Sequence, residues 1–304
     1  MRVAIIANPA SGRGRARELL APLSCAIQRA GFAVTVFQTS RAGEGREAVA
    51  ALGAEVDAFV GIGGDGTINE ICSGNLTHRR PIAFLPLGTA NLLARELSLP
   101  WHIPGVAHTL ALGRTRTIDL LRVTQGTQER WSVALASAGL DAEIVAQLSA
   151  ARRGRIHVLS YAWPICTQLL RYRPRPLAVT LDGVRLAGAP TYCLVTHIRY
   201  YSGPFVVAPH ASPTSGELTV CLIDAASRTR AMAIAGRVFA SALRPGVDVA
   251  FHTGRRVEVA IDGAPGAAQP IQIDGDPAGV TPFACEVVPG AMPFFVADRR
   301  APPG

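Results

Sequence analysis

The feature that most restricts the fold of this chain is the alternation of short apolar segments with helix-like segments in its N-terminal third. The apolar segments have the length of buried strands, predicted at Val3–Ala7, Phe32–Gln38, Val56–Gly61 and Ile82–Leu87. Between and after them the spacing predicts helices over 15–30, over 44–53, from Thr67, and from Gly88 through about Leu97. Alternation over short connections predicts an α/β domain, with a parallel sheet covered by helices in three layers.

The pattern changes near residue 118, after which short strands predominate. They are predicted at 118–124, 130–137, 177–181, 191–198, 217–223, 256–261, 270–273 and 283–288. Helices are predicted only at 141–150, continuing into 156–171, and at 229–243. We therefore expect an α/β domain over 1–122 and an antiparallel β-rich domain over 123–289. The apolar segment Met292–Ala297 is a candidate strand of either domain, and 290–300 can pack back on the first.

Composition agrees with a folded two-domain protein and restricts its partners. A chain of 304 residues is longer than a single ordinary hydrophobic core accommodates. Its net charge is +8, and all of its lysine-or-arginine positions are arginine. A basic surface attracts nucleotides, nucleic acid or anionic membranes, but no RNA-binding signature or arginine run favours nucleic acid. The six scattered cysteines, without a C-x-x-C pair, predict that most of them are reduced core residues and that the protein is cytoplasmic. We expect neither a signal peptide nor a membrane span of ~20 apolar residues.

The sharpest local motif is GIGGDGT at 61–67, between a predicted strand and a predicted helix. Glycines let backbone N–H groups approach phosphate oxygens, and a helix N-terminus favours an anion. The spacing also fits a dinucleotide-binding Rossmann loop, but that site needs an acidic residue at the end of the next strand. This chain has Leu85-Pro86-Leu87-Gly88 there, and the G-K-[ST] of a P-loop occurs nowhere. Taken alone, the motif predicts either a structural turn or a phosphate site of another kind.

Two further polar loops follow strands of the same predicted sheet. These two loops are Asn8–Gly12 and Gly88–Asn91, and Gly63–Glu70 is the third. Because the carboxyl ends of parallel strands meet at one edge, and ligands bind there, three such loops predict a nucleotide site.

These loops also carry a family resemblance. The sequence GGDGTINE at 63–70 resembles the GGDGT-x-NE motif of the diacylglycerol kinase catalytic domain. PLGTAN at 86–91 and NPASG at 8–12 resemble two other segments of that family, in the same order and spacing. Similar segments continue through Ile118-Asp119-Leu120, Gly139-Leu140-Asp141 and the IDGD of 273–276, so the resemblance covers almost the whole chain. It implies an ATP-dependent kinase of a lipid hydroxyl, of the diacylglycerol or sphingosine kinase type.

The resemblance implies that ATP lies across the three loops. The implied nucleotide ligands are Asn8, Ser11, Gly12, Thr39, Gly63, Gly64, Asp65, Gly66, Thr67, Asn69, Gly88, Thr89 and Asn91. Asp65 has two equal interpretations, as a turn or cap residue and as a neighbour of Mg²⁺. Glu70 is expected in the first turn of its helix, where a structural role is favoured. In the family, the third residue of the DG-acid loop takes the acceptor's proton. Here it is Asp276, followed by Pro277, and Asp274 is the alternative.

A second departure from the family concerns a structural Mg²⁺. Bacterial members hold it with an aspartate just before a Gly-x-Leu segment, where this chain has Ser215. The corresponding positions are Ser212, Ser215 and Glu217, and a neutral hydroxyl is a weak ligand for a hard cation. The structural metal is therefore in doubt, whereas the Mg²⁺ that accompanies ATP is still expected.

The expected partners are a lipid substrate, an anionic membrane met from the cytoplasmic side, and a second copy of the chain. Segment 155–176, with Tyr161, Trp163 and Tyr172 among arginines, suits a bilayer interface, but we favour an amphipathic helix packed on the β domain with a basic outer face. The same two interpretations apply to 229–243, and His197, Tyr200 and Tyr201 are candidates for the acceptor cleft. Two alternatives stay open: a kinase of a soluble acceptor such as NAD, and a non-catalytic nucleotide- or lipid-binding relative.

Overall fold

This computed structural model describes residues 1–150, 167, 173–263 and 266–297. The predicted interfacial segment 155–176, including its three aromatic residues, lies largely outside them. The chain divides into two compact units. The α/β unit consists of Met1–Asp119, Ser202–Pro204 and the residues from Pro289 onward, and the β unit of Leu120–Tyr201 and Phe205–Val288. Within the ranges just given, no helix combines the length and hydropathy needed to span a bilayer.

The α/β unit is built from alternating strands and helices. In chain order they are β1 (Arg2–Ala7), α1 (Arg15–Arg29), β2 (Ala33–Gln38), α2 (Glu44–Leu52), β3 (Ala58–Gly63), α3 (Asp65–Gly74), β4 (Ile82–Pro86), α4 (Leu92–Glu96) and α5 (Ile103–Leu112). All four strands pair in parallel in the order β2-β1-β3-β4. β3 and β4 are buried along their whole length, as strands covered on both faces must be. The predicted parallel α/β fold is confirmed.

The β unit contains mostly short strands, and β5 and β18 each run from one unit into the other. Its elements are β5 (Thr115–Gln125), β6 (Gln128–Ser132), β7 (Leu135–Ala138), α6 (Leu140–Ala150), β8 (Leu177–Leu181), β9 (Val184–Arg185), β10 (Tyr192–Thr196), β11 (Tyr200–Tyr201), β12 (Phe205–Val206), β13 (Leu218–Ile223), α7 (Arg228–Phe239), β14 (Val249–Gly254), β15 (Arg256–Ile261), β16 (Pro270–Ile273), β17 (Asp276–Val280) and β18 (Phe283–Phe295).

Two antiparallel sheets enclose the core of the β unit. One has the order β14-β13-β10-β7-β16-β17, and in the other β15 lies between β18 and β8. Val195 and Val220 from the first sheet and Val179 and Val257 from the second are buried in the same apolar cluster. This arrangement confirms the predicted antiparallel β-rich domain.

The single strand predicted at 130–137 is wrong, because the structure has two strands there. β6 ends at Ser132 and β7 begins at Leu135. The carboxylate of Asp274 accepts the backbone N–H groups of Val133 at 2.8 Å and Ala134 at 3.0 Å. Those groups point at a side chain and cannot join a strand ladder, so the strand breaks where this distant residue binds it.

Three other boundaries differ from the sequence-based assignment. α5 was not predicted; His102 caps it by accepting the N–H of Gly105 at 3.0 Å on its ring nitrogen. α3 begins at Asp65 and not at Thr67. The segments predicted separately at 283–288 and 292–297 belong to one strand, β18, whose Phe294 pairs in parallel with Ile82 of β4.

Candidate active site

The first candidate loop, Asn8–Gly12, lies between β1 and α1 at the carboxyl edge of the parallel sheet. The side-chain oxygen of Asn8 accepts the N–H of Ala10 at 3.0 Å, and its carbonyl accepts the N–H of Ser11 at 3.0 Å. Gly12 then adopts φ 60°, a left-handed conformation that favours glycine. This turn directs the chain into α1, whose N-terminus therefore lies at the same edge as the loop.

The second loop joins β3 to α3 with almost no connecting residues. Gly63 ends the strand, Gly64 is the helix N-cap, and the first helical hydrogen bond runs from the N–H of Ile68 to the Gly64 carbonyl at 3.1 Å. The N–H groups of a first helical turn have no partner inside the helix, and together they attract an anion. Gly66 lies in this turn, is exposed, and leaves open space within 4 Å of where a Cβ would stand.

The third loop touches the other two, backbone against backbone. A Cβ on Gly88 would lie 2.6 Å from the Cα of Gly64, so only glycine allows this approach. The N–H of Leu87 donates to the Gly63 carbonyl at 2.6 Å. A Cβ on Gly12 would lie 3.1 Å from the Cβ of Leu87. The three predicted loops therefore form one contiguous glycine-lined edge.

Asp65 and Asn91 hold this edge in place. The two oxygens of the Asp65 carboxylate each accept a backbone N–H at 2.7 Å, one from Asn91 and one from Leu92 at the start of α4. Buried Asn91 closes its own loop by accepting the N–H of Gly88 at 2.9 Å and donating to the Gly88 carbonyl at 2.6 Å. Of the two interpretations of Asp65, the geometry favours the capping role, exerted on a neighbouring helix.

The remaining implied nucleotide ligands surround the three loops. Thr39 is buried at the end of β2 and donates its N–H to the carbonyl of Ala7, the last residue of β1, at 2.9 Å. Thr67 is buried in the first turn of α3, while Thr89 is exposed in the third loop. The side-chain oxygen of Asn69 accepts a hydrogen bond from the hydroxyl of Ser73, one turn later in α3, at 3.2 Å.

Glu70 has a structural contact, but not the one expected. Because α3 begins at Asp65, Glu70 lies in the second turn, and the expectation that it stabilises the first turn of its own helix is wrong. Its carboxylate accepts the N–H groups of Gly43 at 2.7 Å and Gly45 at 3.0 Å, at the N-terminus of α2. Glu70 therefore caps the neighbouring helix.

In the β unit, the loop of the two candidate acids is a tight hairpin between β16 and β17. Asp274 and Gly275 have φ 50° and 88°, the left-handed pair that a two-residue turn requires, and Ile273 pairs with Asp276 across it. The Asp274 carboxylate accepts the hydroxyl of Ser132 at 2.7 Å in addition to the three N–H groups of 133–135. Asp276 is exposed at the start of β17. Asp274 thus fixes the turn that presents Asp276.

A polar cluster around Asp141 adjoins this hairpin. Its Oδ2 accepts hydrogen bonds from Ser137 at 2.7 Å, Tyr192 and Tyr201 at 3.1 Å each, and the Gln272 amide at 3.2 Å. Its Oδ1 is buried and has no hydrogen-bond partner among the residues that the structure describes. Burial raises the pKa of Asp141 from its ordinary value.

Gln272 connects the Asp141 cluster to the hairpin. While its amide nitrogen donates to Ser137 at 2.9 Å, its carbonyl oxygen accepts the N–H of Gly275 at 2.7 Å. Sequence reasoning noted the Gly139-Leu140-Asp141 segment and Tyr201 but missed Ser137, Tyr192 and Gln272. The sequence signal for this cluster was the glycine at position 139. The structure shows why it is needed, since its φ of 129° and its contact with Tyr192 exclude a side chain.

The loop with the implied metal ligands satisfies its hydroxyls internally. Ser215 donates to the carbonyl of Ser212 at 3.0 Å, and the N–H of Glu217 donates to the Ser215 hydroxyl at 3.3 Å. Glu217 is exposed. Within the described part of the chain, no group of three His, Cys, Asp or Glu side chains is arranged to hold a metal ion. These residues do not fit a hard cation.

Comparisons with known proteins agree along the whole chain. A family model described as the diacylglycerol kinase catalytic domain matches residues 2–123, and one described as the YegS C-terminal NAD kinase beta sandwich-like domain matches residues 134–296. The chain is 28% identical over 247 residues to a diacylglycerol kinase of Mycobacterium tuberculosis, covering 79% of each protein. It is 28% identical over 286 residues to one of Bacillus subtilis, covering 88% of this chain and 91% of that protein. A diacylglycerol kinase crystal structure from Bacillus anthracis has the same fold, with a TM-score of 0.71 at 17% identity over 97% of both chains.

Proposed function

This chain belongs to the lipid kinase family in which a diacylglycerol kinase catalytic domain precedes a YegS-type C-terminal β-sandwich, and from that premise we propose its reaction. It transfers the γ-phosphate of ATP to the hydroxyl of a diacylglycerol-like lipid at a membrane surface. The names of the curated relatives favour diacylglycerol over a sphingoid base. The observation that carries the proposal is the glycine-lined edge, where three loops meet beside two helix N-termini.

The edge suits a triphosphate for steric and electrostatic reasons. Gly64 and Gly88 let the second and third loops pack directly on each other, and Gly66 leaves open space in the first turn of α3, where phosphate oxygens can reach backbone N–H groups. The N-termini of α1 and α3 add positive potential, and Arg13 is exposed in the first loop. Phosphoryl transfer depends chiefly on positioning and on neutralising charge over the transferred group. A Mg²⁺ bound to the triphosphate would supply further neutralisation.

Asp276 is the proposed proton acceptor. As the lipid hydroxyl oxygen forms its bond to the γ-phosphorus, the bond to the β–γ bridging oxygen breaks and ADP leaves. The hydroxyl proton passes to a carboxylate, which must be accessible to the acceptor. Asp276 is exposed, whereas four hydrogen bonds engage the Asp274 carboxylate. The hydrogen bonds of the cluster around Asp141 and Gln272 position the hairpin that carries both acids.

The test is transfer of label from γ-labelled ATP with Mg²⁺ to diacylglycerol, sphingosine and phosphatidylglycerol in mixed micelles, with NAD as a soluble acceptor. We expect label in diacylglycerol, with kcat lowered about 10²–10⁴-fold by Asp276→Asn. The matched control Asp274→Asn should instead lower the free energy of unfolding by about 1–3 kcal/mol. Label in NAD alone would show a kinase of a soluble acceptor. ATP binding without transfer to any acceptor would show a non-catalytic relative.

A further inference from the structure

Helix α7 and the turn after it carry exposed apolar side chains together with arginines. Of the nine large apolar side chains exposed in the described ranges, three lie between positions 232 and 247: Met232 at 58%, Phe239 at 50% and Val247 at 98% exposure. α7 buries Ala231 and Ile234 against the unit, so its exposed positions form the opposite arc. We define the docking face as Met232, Ala233, Gly236, Phe239 and Val247, with Arg228, Arg237 and Arg244 among them.

The turn after α7 projects an apolar residue and withdraws an acidic one. Gly246 and Val249 exchange backbone hydrogen bonds of 2.9 and 3.4 Å, which leaves Val247 and Asp248 at the tip. Asp248 folds back towards α7, where its carboxylate lies 3.5 Å from the guanidinium of Arg230. Val247 is therefore the most exposed large apolar side chain of the described residues.

Within the segment that carries the docking face all charged side chains are basic, and the acid at its end, Asp248, is turned towards Arg230. Between positions 225 and 247 the chain has four arginines and no acidic residue. The first turn of α7 likewise contains no acid, although an acid would favour the helix N-terminus. Apolar side chains surrounded by arginines complement an anionic bilayer, where the former enter the headgroup region and the latter meet phosphates.

We propose that the docking face binds the surface of an anionic phospholipid bilayer. The assignment rests on the proposed function, since a lipid acceptor is dissolved in such a bilayer. The face is firmly anchored in the β unit. The ring of Phe239 packs edge-on against Phe205 with centroids 5.1 Å apart, and the Ser241 hydroxyl accepts the N–H of Val206 at 3.0 Å. β12, which contains Phe205, pairs with β11, and Tyr201 of β11 donates to Asp141. One hairpin thus joins the docking face to the polar cluster.

The test measures sedimentation of the full chain with phosphatidylcholine vesicles, with and without phosphatidylglycerol. Two double variants remove either component: Met232→Gln with Val247→Gln, and Arg228→Gln with Arg237→Gln. The arginine pair should weaken binding to anionic vesicles about 25-fold, since one basic residue near such a surface contributes about fivefold. The apolar pair should weaken it on the order of tenfold. Matched controls are Val184→Gln, at 67% exposure in β9, and Arg29→Gln with Arg130→Gln. They should bind like the wild type.

The outcomes separate this proposal from the proposed function. Turnover of a short-chain diacylglycerol below its micellar concentration should be equal in wild type and all variants. Vesicle binding by the wild type that is lost in the variants supports the docking face even if no lipid is phosphorylated. Equal binding by variants and wild type, or no binding by the wild type, overturns it. A change from dimer to monomer in sedimentation velocity, caused by Val247→Gln alone, would assign the face to a second copy and also overturn it.

Discussion

Gly66 offers a direct test of the nucleotide edge, because the protein does not need a glycine there for its own packing. An added Cβ would meet nothing within 4 Å, and the residue lies in the first turn of α3 with an ordinary helical conformation. Gly66→Ala should therefore raise the free energy of unfolding, by up to about 1 kcal/mol, because alanine loses less backbone entropy in a helix. A loss of activity in this variant must then come from the ligand.

The expected loss follows from the close approach that the proposal requires. A phosphate oxygen bound to this turn lies about 2.9 Å from a backbone nitrogen, where a methyl group interferes with it. Losing one hydrogen bond to a charged group costs about 1.5–3 kcal/mol, which corresponds to about 10- to 150-fold in kcat/KM for ATP. The variant should thus be more stable and less active.

The assay pairs urea unfolding with ATP-dependent turnover, and Gly88→Ala is the matched comparison. A Cβ at Gly88 would lie 2.6 Å from the Cα of Gly64 and 2.8 Å from the side-chain oxygen of Asn91, so this variant should lose both stability and activity. A Gly66→Ala enzyme with unchanged kcat/KM for ATP would refute phosphate binding at this turn. A destabilised Gly66→Ala enzyme would refute the assignment of open space.

Two further predictions concern carboxylates. Burial raises the pKa of Asp141 above its ordinary 3.8, so its stabilising contribution is complete below that pH and is lost as pH rises through the folded-state pKa. Asp141→Asn cannot ionise, so its free energy of unfolding should increase relative to that of the wild type as pH rises through the folded-state pKa. Urea unfolding at a series of pH values measures this difference. A difference that stays constant with pH would contradict the raised pKa. Glu70→Ala should lower the free energy of unfolding by about 0.5–2 kcal/mol through loss of the α2 cap, with kcat unchanged. The exposed control Glu18→Ala should stay within about 0.5 kcal/mol of wild type, and a large fall in kcat for Glu70→Ala would indicate a catalytic role.

Local pattern was sufficient where the determining interactions are close in sequence. The strands that end at Ala7 and Pro86 are short apolar runs followed by turn residues, and both were predicted within a residue of their observed ends. The loop after Ala7 contains Gly12, whose φ of 60° is a property of the loop's own backbone. For that reason the glycine-rich loops could be identified before their contacts were known.

Pattern was insufficient where a side chain acts far along the chain. Nothing near Val133 shows that Asp274 will bind its N–H and divide one apolar run into two strands. The roles of Asp65 and Glu70 were likewise hidden, because the amides that they accept belong to helices α4 and α2. Hydrogen-bond partners separated by many residues leave no periodic trace in the sequence.

The sequence by itself determined the α/β and β-rich composition of the two units and the three loops that are proposed to bind phosphate. These properties depend on hydrophobic periodicity and on glycine, both of which act locally. Only the tertiary structure decided which acids are structural and which is exposed, since Asp274 and Asp276 differ in neither type nor neighbourhood in sequence. It also gathered Ser137, Asp141, Tyr192 and Gln272 into one cluster, because strand pairing brings together residues that the chain keeps far apart.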